Sequence, residues 1–266
     1  MADALLTLAK SIFLSGCIPA DWDTNIIVPI FKKGDETDAK NYRGVALMCT
    51  ALKVICVMLN WRITNVLERW KLLKPHQAGF RRREEAVAQA TCLVELLQRR
   101  SAKKEETHAL FVDMIKAYDM VPHEALFQKM EQHYGMHGVT MKFLHALYAS
   151  SKCRVWLGVG AFSSMFGVIE CGRGLRQGCV LSPTFFSMFV NDIFDEVEDL
   201  PLGQGGVTVP GCAPDFTIPG LTFADDLVAL GATRAAMANT AQCILNWMKL
   251  NEMDVNIAKC GLLHFG

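Results

Sequence analysis

Ala109-Leu110-Phe111-Val112-Asp113-Met114-Ile115-Lys116-Ala117-Tyr118-Asp119 is the stretch from which the organisation of the chain can be read. Thr107–Val112 is short, apolar and bounded by polar residues, the pattern of a buried strand. It delivers Asp113 at its end, where a carboxylate is rigidly held and half exposed, as a hard cation such as Mg²⁺ requires. Taken alone, an Asp at a strand end is more often a turn former or a helix cap. A second stretch shifts the balance: Leu221-Thr222-Phe223-Ala224-Asp225-Asp226-Leu227-Val228-Ala229-Leu230. It reads as two short strands folded about Asp225-Asp226. Adjacent carboxylates at a hairpin tip repel one another, so a bound cation is an economical explanation, with a solvated Asp-Asp turn as the plain alternative. Asp113 and Asp225 lie 112 residues apart. Two such acidic strand ends suggest one site in which two Mg²⁺ ions clamp a phosphoryl transfer.

Between them lies Gly174-Leu175-Arg176-Gln177-Gly178-Cys179-Val180-Leu181-Ser182-Pro183. Its glycines permit close backbone approach to a ligand, and Gln177 offers both a donor and an acceptor. Ser182 reads as an N-cap with Pro183 at the first helical position, opening a helix to about Asp199. An ordinary glycine-rich loop before a helix has the same appearance. Working outward, strands are expected at 25–31, 107–112, 153–159 with 164–170, 217–228 and 259–265. Helices are expected at the N-terminus up to Gly16, at 49–69, 84–100, 122–135 and 139–150, and at 233–251. Residues 201–220 read as loop. Helices and strands mix without regular βαβ alternation, so the fold class is α+β.

The 266 residues are 51% hydrophobic and 20% charged, which excludes a disordered chain or a coiled coil as a whole-chain reading. Net charge is zero but unevenly placed. Residues 1–104 hold 17 Lys or Arg and 10 Asp or Glu, a net +7, and residues 105–266 carry the balancing −7. A basic first part beside an acidic second part suggests an anion-binding surface next to a cation-binding one, although chance segregation of solvated charge explains it equally simply. No apolar run reaches the ~20 residues needed to span a bilayer. The ten cysteines show no CxxC and no Cys/His cluster at zinc spacing. Most sit in apolar runs, as small buried hydrophobes, so an intracellular, reducing location is expected, nucleus or cytoplasm left open.

In order and spacing, the segments around Asp113, Gln177 and Asp225 resemble motifs A, B and C of reverse transcriptases, closest to those of non-LTR (LINE-type) retrotransposons. Ile27–Asp35, Asn41–Leu47 and His76–Arg82 resemble the finger motifs of that family, and Asn256–Phe265 resembles its motif D. The resemblance covers about residues 18–265. It implies a right-hand polymerase fold of fingers and palm, with the palm an antiparallel sheet packed on helices. It implies fingers at 1–105 and a palm at 106–266, with finger elements interleaved near 135–180. The implied activity is RNA-directed DNA polymerisation, a nucleotidyl transfer from dNTP to a primer 3′-OH, with Mg²⁺ (Mn²⁺ as the substitute) as cofactor. Implied partners are an RNA template, a DNA primer, dNTPs and the rest of a retrotransposon polyprotein, with no membrane.

Residue by residue, Asp113 and Asp225 match the metal-binding carboxylates, and Asp226 the supporting acid beside them. Tyr118 matches the aromatic gate that crowds a 2′-OH. Gln177 and Gly178 match residues lining the nucleotide pocket. Lys32, Lys33 and Arg43 match finger residues that hold the triphosphate, and Lys259 the proton donor to leaving pyrophosphate. Arg81, Arg82 and Arg83 are expected to face template phosphates. The chain departs from the pattern at three places. Gly44 replaces the usual Pro after Arg43 and is expected to loosen a turn there. Arg82-Arg83-Glu84-Glu85-Ala86 replaces a Gly/Ser/Thr-rich stretch. Thumb helices are not seen after Lys259. Two other readings share some features: a catalytically silent, domesticated RNA-binding or scaffold protein, and an RNA-dependent RNA polymerase, against which Tyr118 speaks.

Overall fold

The computed structural model describes residues 2–82, 84–149, 152–157, 164–165, 167–212 and 216–266. In chain order the first elements are α1 (Ala2–Ser15), α2 (Ala20–Asp23), β1 (Thr24–Phe31), β2 (Tyr42–Leu47), α3 (Thr50–Arg69) and α4 (Ala86–Ala102). There follow β3 (Thr107–Asp113), α5 (Ala117–Met120), α6 (His123–Gln132), α7 (Val139–Ala149), β4 (Lys152–Leu157), β5 (Ser164–Met165) and β6 (Ile169–Glu170). The last are α8 (Leu181–Phe189), α9 (Asp195–Glu198), β7 (Val207–Thr208), β8 (Thr217–Ile218), β9 (Gly220–Phe223), β10 (Asp226–Gly231), α10 (Arg234–Leu250) and β11 (Gly261–Phe265).

These elements form two compact units, Met1–Val66 with Pro122–Ser182, and Leu67–Val121 with Pro183–Gly266. The units do not divide at residue 105, and the range 135–180, where interleaved elements were expected, falls within the first unit. Residues 67–105 pack with the second unit and 122–182 with the first. The charge halves could not reveal this, because packing follows apolar faces rather than the sign of surface charge.

In the first unit, β1 pairs antiparallel with β2 and parallel with β4, and β4 carries β5 and β6 on its far side. The expected strand pair at 153–170 is present, but the tip it turns through, 158–163, lies outside the described residues. α1 docks on α7 through the stacked rings of Phe13 and Phe143, 4.6 Å between centroids. It stops where expected: Gly16 takes φ +69 and donates its N–H to the carbonyl of Ile12, a glycine C-terminal stop.

The second unit is built on a four-stranded antiparallel sheet in the order β11-β3-β10-β9. Leu227, Val228, Ala229 and Leu230 of β10 are all buried, so both faces of that strand are covered. Val228 and Leu230 pack with Ala109, Val207 and Leu96 of α4. α10 packs on β10 and buries Ala236, Met237, Thr240, Cys243, Ile244, Trp247 and Met248, a stripe at helical spacing. Its first turn is capped by Thr233, whose hydroxyl accepts from the N–H of Ala236 at 3.1 Å. Gly231 is required where sheet meets helix: a Cβ there would stand 2.6 Å from the Met237 nitrogen.

Three local expectations are corrected. α8 begins at Leu181, so Ser182 lies inside its first turn. The Ser182 hydroxyl donates to the carbonyl of Arg176 at 2.8 Å instead of capping. The helix ends at Phe189 rather than Asp199 and resumes only as the single turn α9. The stretch 201–220 is not all loop, since β7 and β8 pair antiparallel within it. The cysteines, all free, are less buried than their apolar neighbours suggested: Cys56, Cys153, Cys179 and Cys243 are buried, and Cys17, Cys92 and Cys212 are exposed.

Arg100 fastens the second unit at the foot of β3. It is 2% exposed. It donates to Thr107 Oγ1 at 2.7 Å, to the carbonyl of Thr208 at 2.7 Å and to that of Glu106 at 2.8 Å, and pairs with Glu105 at 2.8 Å. Burial lowers its pKa and Glu105 opposes that shift. Arg100→Ala strands these acceptors without donors. It should cost about 2–3 kcal/mol, read as a fall in urea midpoint with unchanged slope, and an unchanged midpoint would show the network to be dispensable.

Candidate active site

β3 ends on Asp113, β10 begins on Asp226, and the two are direct partners in the antiparallel register. Opposed residues in such a pair project to one face with Cβ atoms about 4.5–5.5 Å apart. Phe223 and Asp226 also pair, so Ala224 and Asp225 form a two-residue turn between β9 and β10. Asp226 is thus the first strand residue rather than part of the turn tip. Ala224 takes φ +57, a conformation uncommon outside glycine and asparagine. The ladder therefore brings Asp113, Asp225 and Asp226 to one end of the sheet.

The segment just ahead of the arginine run braces this hairpin. Thr222 donates its N–H to His76 O at 2.8 Å, and Ala78 donates to Thr222 O at 3.0 Å. Gly79 approaches so closely that a Cβ would sit 2.1 Å from the Ala224 nitrogen. Gly79 is itself held: its N–H donates to Gln77 Oε1 at 2.9 Å, and its carbonyl accepts from Ser187 at 3.0 Å. This explains a glycine at 79 and supports the strained residue at 224 from outside.

On the other side, residues 254–259 are stitched to the end of β3. Ile115 donates to Asp254 O at 2.9 Å and Asn256 donates to Asp113 O at 2.8 Å. The one-turn 3-10 helix Ile257–Lys259 then carries the Lys259 ammonium to 3.5 Å from Asp113 Oδ2. Both side chains are well exposed, so the pair itself is weak. Burial first, and then the negative charges of Asp225 and Asp113, raise the Asp226 carboxyl above the ordinary carboxylate range. An all-oxygen set of three mutually repelling carboxylates fits a hard divalent cation, Mg²⁺ or Mn²⁺. Among the described residues, though, the ligand atoms that converge within 4.8 Å are those of Glu106, His108 and His264, at the other end of β3.

Tyr118 stands on α5, which the chain enters through Lys116 at φ +43. Its ring stacks on Phe186 at 4.7 Å with 11° between planes, and meets Phe80 edge-on at 6.3 Å. Half buried, it is held by aromatic packing five residues beyond Asp113.

Lys32, Lys33, Arg43, Gln177 and Gly178 belong to the first unit. Lys32 and Lys33 follow β1 and are exposed; the N–H of Lys32 donates to Asn41 O at 2.8 Å. Arg43 is exposed on β2 opposite Ile30. Gly44 is not in a turn: it pairs with Pro29 inside the β1–β2 ladder, so the expected loosening does not arise. Gln177 and Gly178 lie against the same strand. Ala46 donates its N–H to Gln177 O at 2.6 Å, and Gly178, at φ +113, leaves no room for a Cβ, which would come 2.5 Å from Ala46 O. Arg176 of the same loop is buried, donating to Leu147 O over the ring of Tyr148.

Of the three arginines expected on phosphate, Arg81 is engaged within the protein. Its Nε and Nη2 form a fork on the Glu68 carboxylate at 3.0 and 2.9 Å, and Nη1 reaches the carbonyls of Gln77 and Lys74. Glu68 accordingly raises its pKa further, against burial. Arg82 is exposed, and Arg83 lies outside the described residues.

The profile of a family described as "Reverse transcriptase (RNA-dependent DNA polymerase)" matches residues 30–264. The chain is 25% identical over 246 residues to the retrovirus-related Pol polyprotein from type-1 retrotransposable element R2 of Popillia japonica, across 92% of this chain and 33% of that protein. It is 23% identical over 270 residues to the RNA-directed DNA polymerase from mobile element jockey of Drosophila melanogaster, across 98% of this chain and 27% of that protein. The chain thus spans about a third or less of the length of these curated relatives. Among solved structures, apo telomerase from Candida tropicalis matches 98% of this chain and 49% of its own with a TM-score of 0.65 at 12% identity, a likeness of fold.

The electrostatics of the acids are testable without turnover. Because the Asp226 carboxyl is raised in the fold, its ionised form is penalised there: the penalty is absent below the ordinary carboxylate range and grows as pH rises through it. Asp226→Asn should therefore stabilise the metal-free chain at pH 7 by on the order of a few tenths of a kcal/mol, given its exposure, and lose that advantage near pH 3. Mg²⁺ should raise the wild-type Tm, and the Asp113→Asn, Asp225→Asn double variant should not respond. A Mg²⁺ response that survives the double variant would place the ion elsewhere.

Proposed function

The chain belongs to the reverse transcriptase (RNA-dependent DNA polymerase) family, and from that premise we propose that it carries the polymerising centre of a retrotransposon-type RNA-directed DNA polymerase. It would add dNTPs to a DNA primer 3′-OH along an RNA template, as a segment of a longer polyprotein. The observation that carries this reading is the register that sets Asp226 opposite Asp113 with Asp225 in the adjoining turn.

Asp113 and Asp225 would hold Mg²⁺ or Mn²⁺, with Asp226 beside them. Bound there, the ions supply Lewis-acid activation of the primer hydroxyl and charge neutralisation on the phosphates. Lys259, already beside Asp113, would stand as proton donor to the departing pyrophosphate. Lys32, Lys33 and Arg43, exposed on the first unit, would take the triphosphate. Gln177 and Gly178 would line the nucleotide pocket, Gly178 being bare of a side chain where its backbone meets Ala46. Phosphate contact from the arginine run falls to Arg82 and Arg83, since Arg81 is committed to Glu68. In right-hand terms the first unit would be the finger body and the second the palm.

Primer extension on an RNA template with dNTPs and Mg²⁺ tests the activity. Asp113→Ala or Asp225→Ala should each reduce extension by at least about 1000-fold, the scale of several kcal/mol of lost transition-state stabilisation, with melting little changed. Extension retained in both variants would refute the metal roles.

Sugar selection gives a separate outcome. With its ring clamped between Phe186 and Phe80, Tyr118 can exclude a 2′-OH only by bulk. Tyr118→Ala should raise rNTP use relative to dNTP by about tenfold or more, a 1.4 kcal/mol effect. A variant that loses stability while keeping its sugar preference would make Tyr118 a core residue only.

A further inference from the structure

β3 carries a second donor set at the end opposite Asp113. His108 lies five residues from Asp113, about 17 Å along an extended strand, and pairs across the ladder with His264 of β11. The two imidazoles stack, 4.6 Å between centroids and 23° between planes. Glu106, the residue before β3, brings Oε2 to 4.0 Å from His108 Nε2 and 3.9 Å from His264 Nε2. One ligand atom from each of the three residues lies within 4.8 Å of the others. The His108 side chain is 12% exposed, and its Nε2 is sealed from solvent without a hydrogen-bond partner. A buried polar atom in that state is costly, so the position calls for a ligand. Glu106 and His264 are 62% and 55% exposed, leaving the cluster open to an ion from solution.

We propose that Glu106, His108 and His264 bind a borderline transition-metal ion, Zn²⁺, at a site separate from the acids at the other end of β3. The chemistry of the donors selects it. Asp113, Asp225 and Asp226 offer only oxygen, the preference of Mg²⁺ and Mn²⁺, whereas two imidazoles with one carboxylate suit Zn²⁺. Three protein ligands leave a fourth, open position for water. Zinc–ligand bonds of about 2.0–2.2 Å place tetrahedral donors about 3.3–3.5 Å apart. The present separations therefore need to close by roughly 1 Å, which rotation of the two exposed side chains supplies. β11 is the edge strand of its sheet. The ion would clamp that edge to β3 at His264, five residues downstream of Lys259. Without an ion, the stacked pair and a screened carboxylate would be an ordinary cross-strand contact, which accounts for His264 and Glu106 but not for the sealed Nε2 of His108.

The test is titration of the chelator-stripped, reduced chain with Zn²⁺, followed by thermal melting, and with Co²⁺, followed by absorption. One equivalent should bind and raise the Tm. Co²⁺ should give tetrahedral d–d bands without a thiolate charge-transfer band. His264→Ala and Glu106→Ala should each weaken binding by about 100-fold or more and abolish the Tm rise. Both residues are exposed, so these variants retain the fold even if His108→Ala does not. Asp225→Asn should bind Zn²⁺ unchanged. Undiminished binding in His264→Ala, a thiolate band that assigns the ion to cysteine, loss of binding in Asp225→Asn, or no stoichiometric binding at all would each overturn the site.

Discussion

The antiparallel pairing of β3 with β10 is the constraint on which the candidate active site depends. Its register sets Asp226 against Asp113, and the two-residue turn into β10 adds Asp225. A slip of one residue would send every side chain of the strand to the opposite face. The slip is resisted by burial: Leu227, Val228, Ala229 and Leu230 are covered, and moving the run along β3 would draw the exposed Asp226 into the covered stretch or push an apolar residue out of it. The apolar run that makes β10 a strand is thus also what aims its acids.

Carboxylates held together oppose that arrangement, and the surrounding chain offsets them. On one side the His76–Gly79 backbone bonds to Thr222 and closes on Ala224. On the other, residues 254–259 bond to the end of β3 and present Lys259 to Asp113. Burial first, and then the charges of Asp225 and Asp113, leave the Asp226 carboxyl raised, and a divalent cation would offset both.

Basic residues divide by burial into two kinds that a sequence presents identically. Arg81, Arg100 and Arg176 are engaged within the protein: on the Glu68 carboxylate, on the carbonyls of Glu106 and Thr208, and on the Leu147 carbonyl. A guanidinium with five donors can satisfy several buried carbonyls at once, which a lysine cannot. Lys32, Lys33 and Arg43 are exposed instead and remain available to an anionic ligand. Reading phosphate contact from a run of arginines fails at Arg81 for that reason.

Local pattern alone was enough for most elements. The extents of β1 and β3, the apolar run of β10, the helices α3, α4 and α10, and the stop at Gly16 follow from side-chain period and glycine chemistry, which act over a few residues. The acids were legible as carboxylates at strand ends, and the glycine-rich loop as a glycine pattern, whereas Tyr118 was singled out only by the resemblance of its motif to that of reverse transcriptases. What the sequence could not contain was pairing across long separations. The bracing of the hairpin by His76–Gly79 and the closure of Arg100 on Thr208 arise only when distant segments meet. The meeting of His108 with His264 is the clearest case. They lie 156 residues apart and no sequence pattern links them, and only the β3–β11 ladder, set by which apolar faces can be buried together, makes them neighbours.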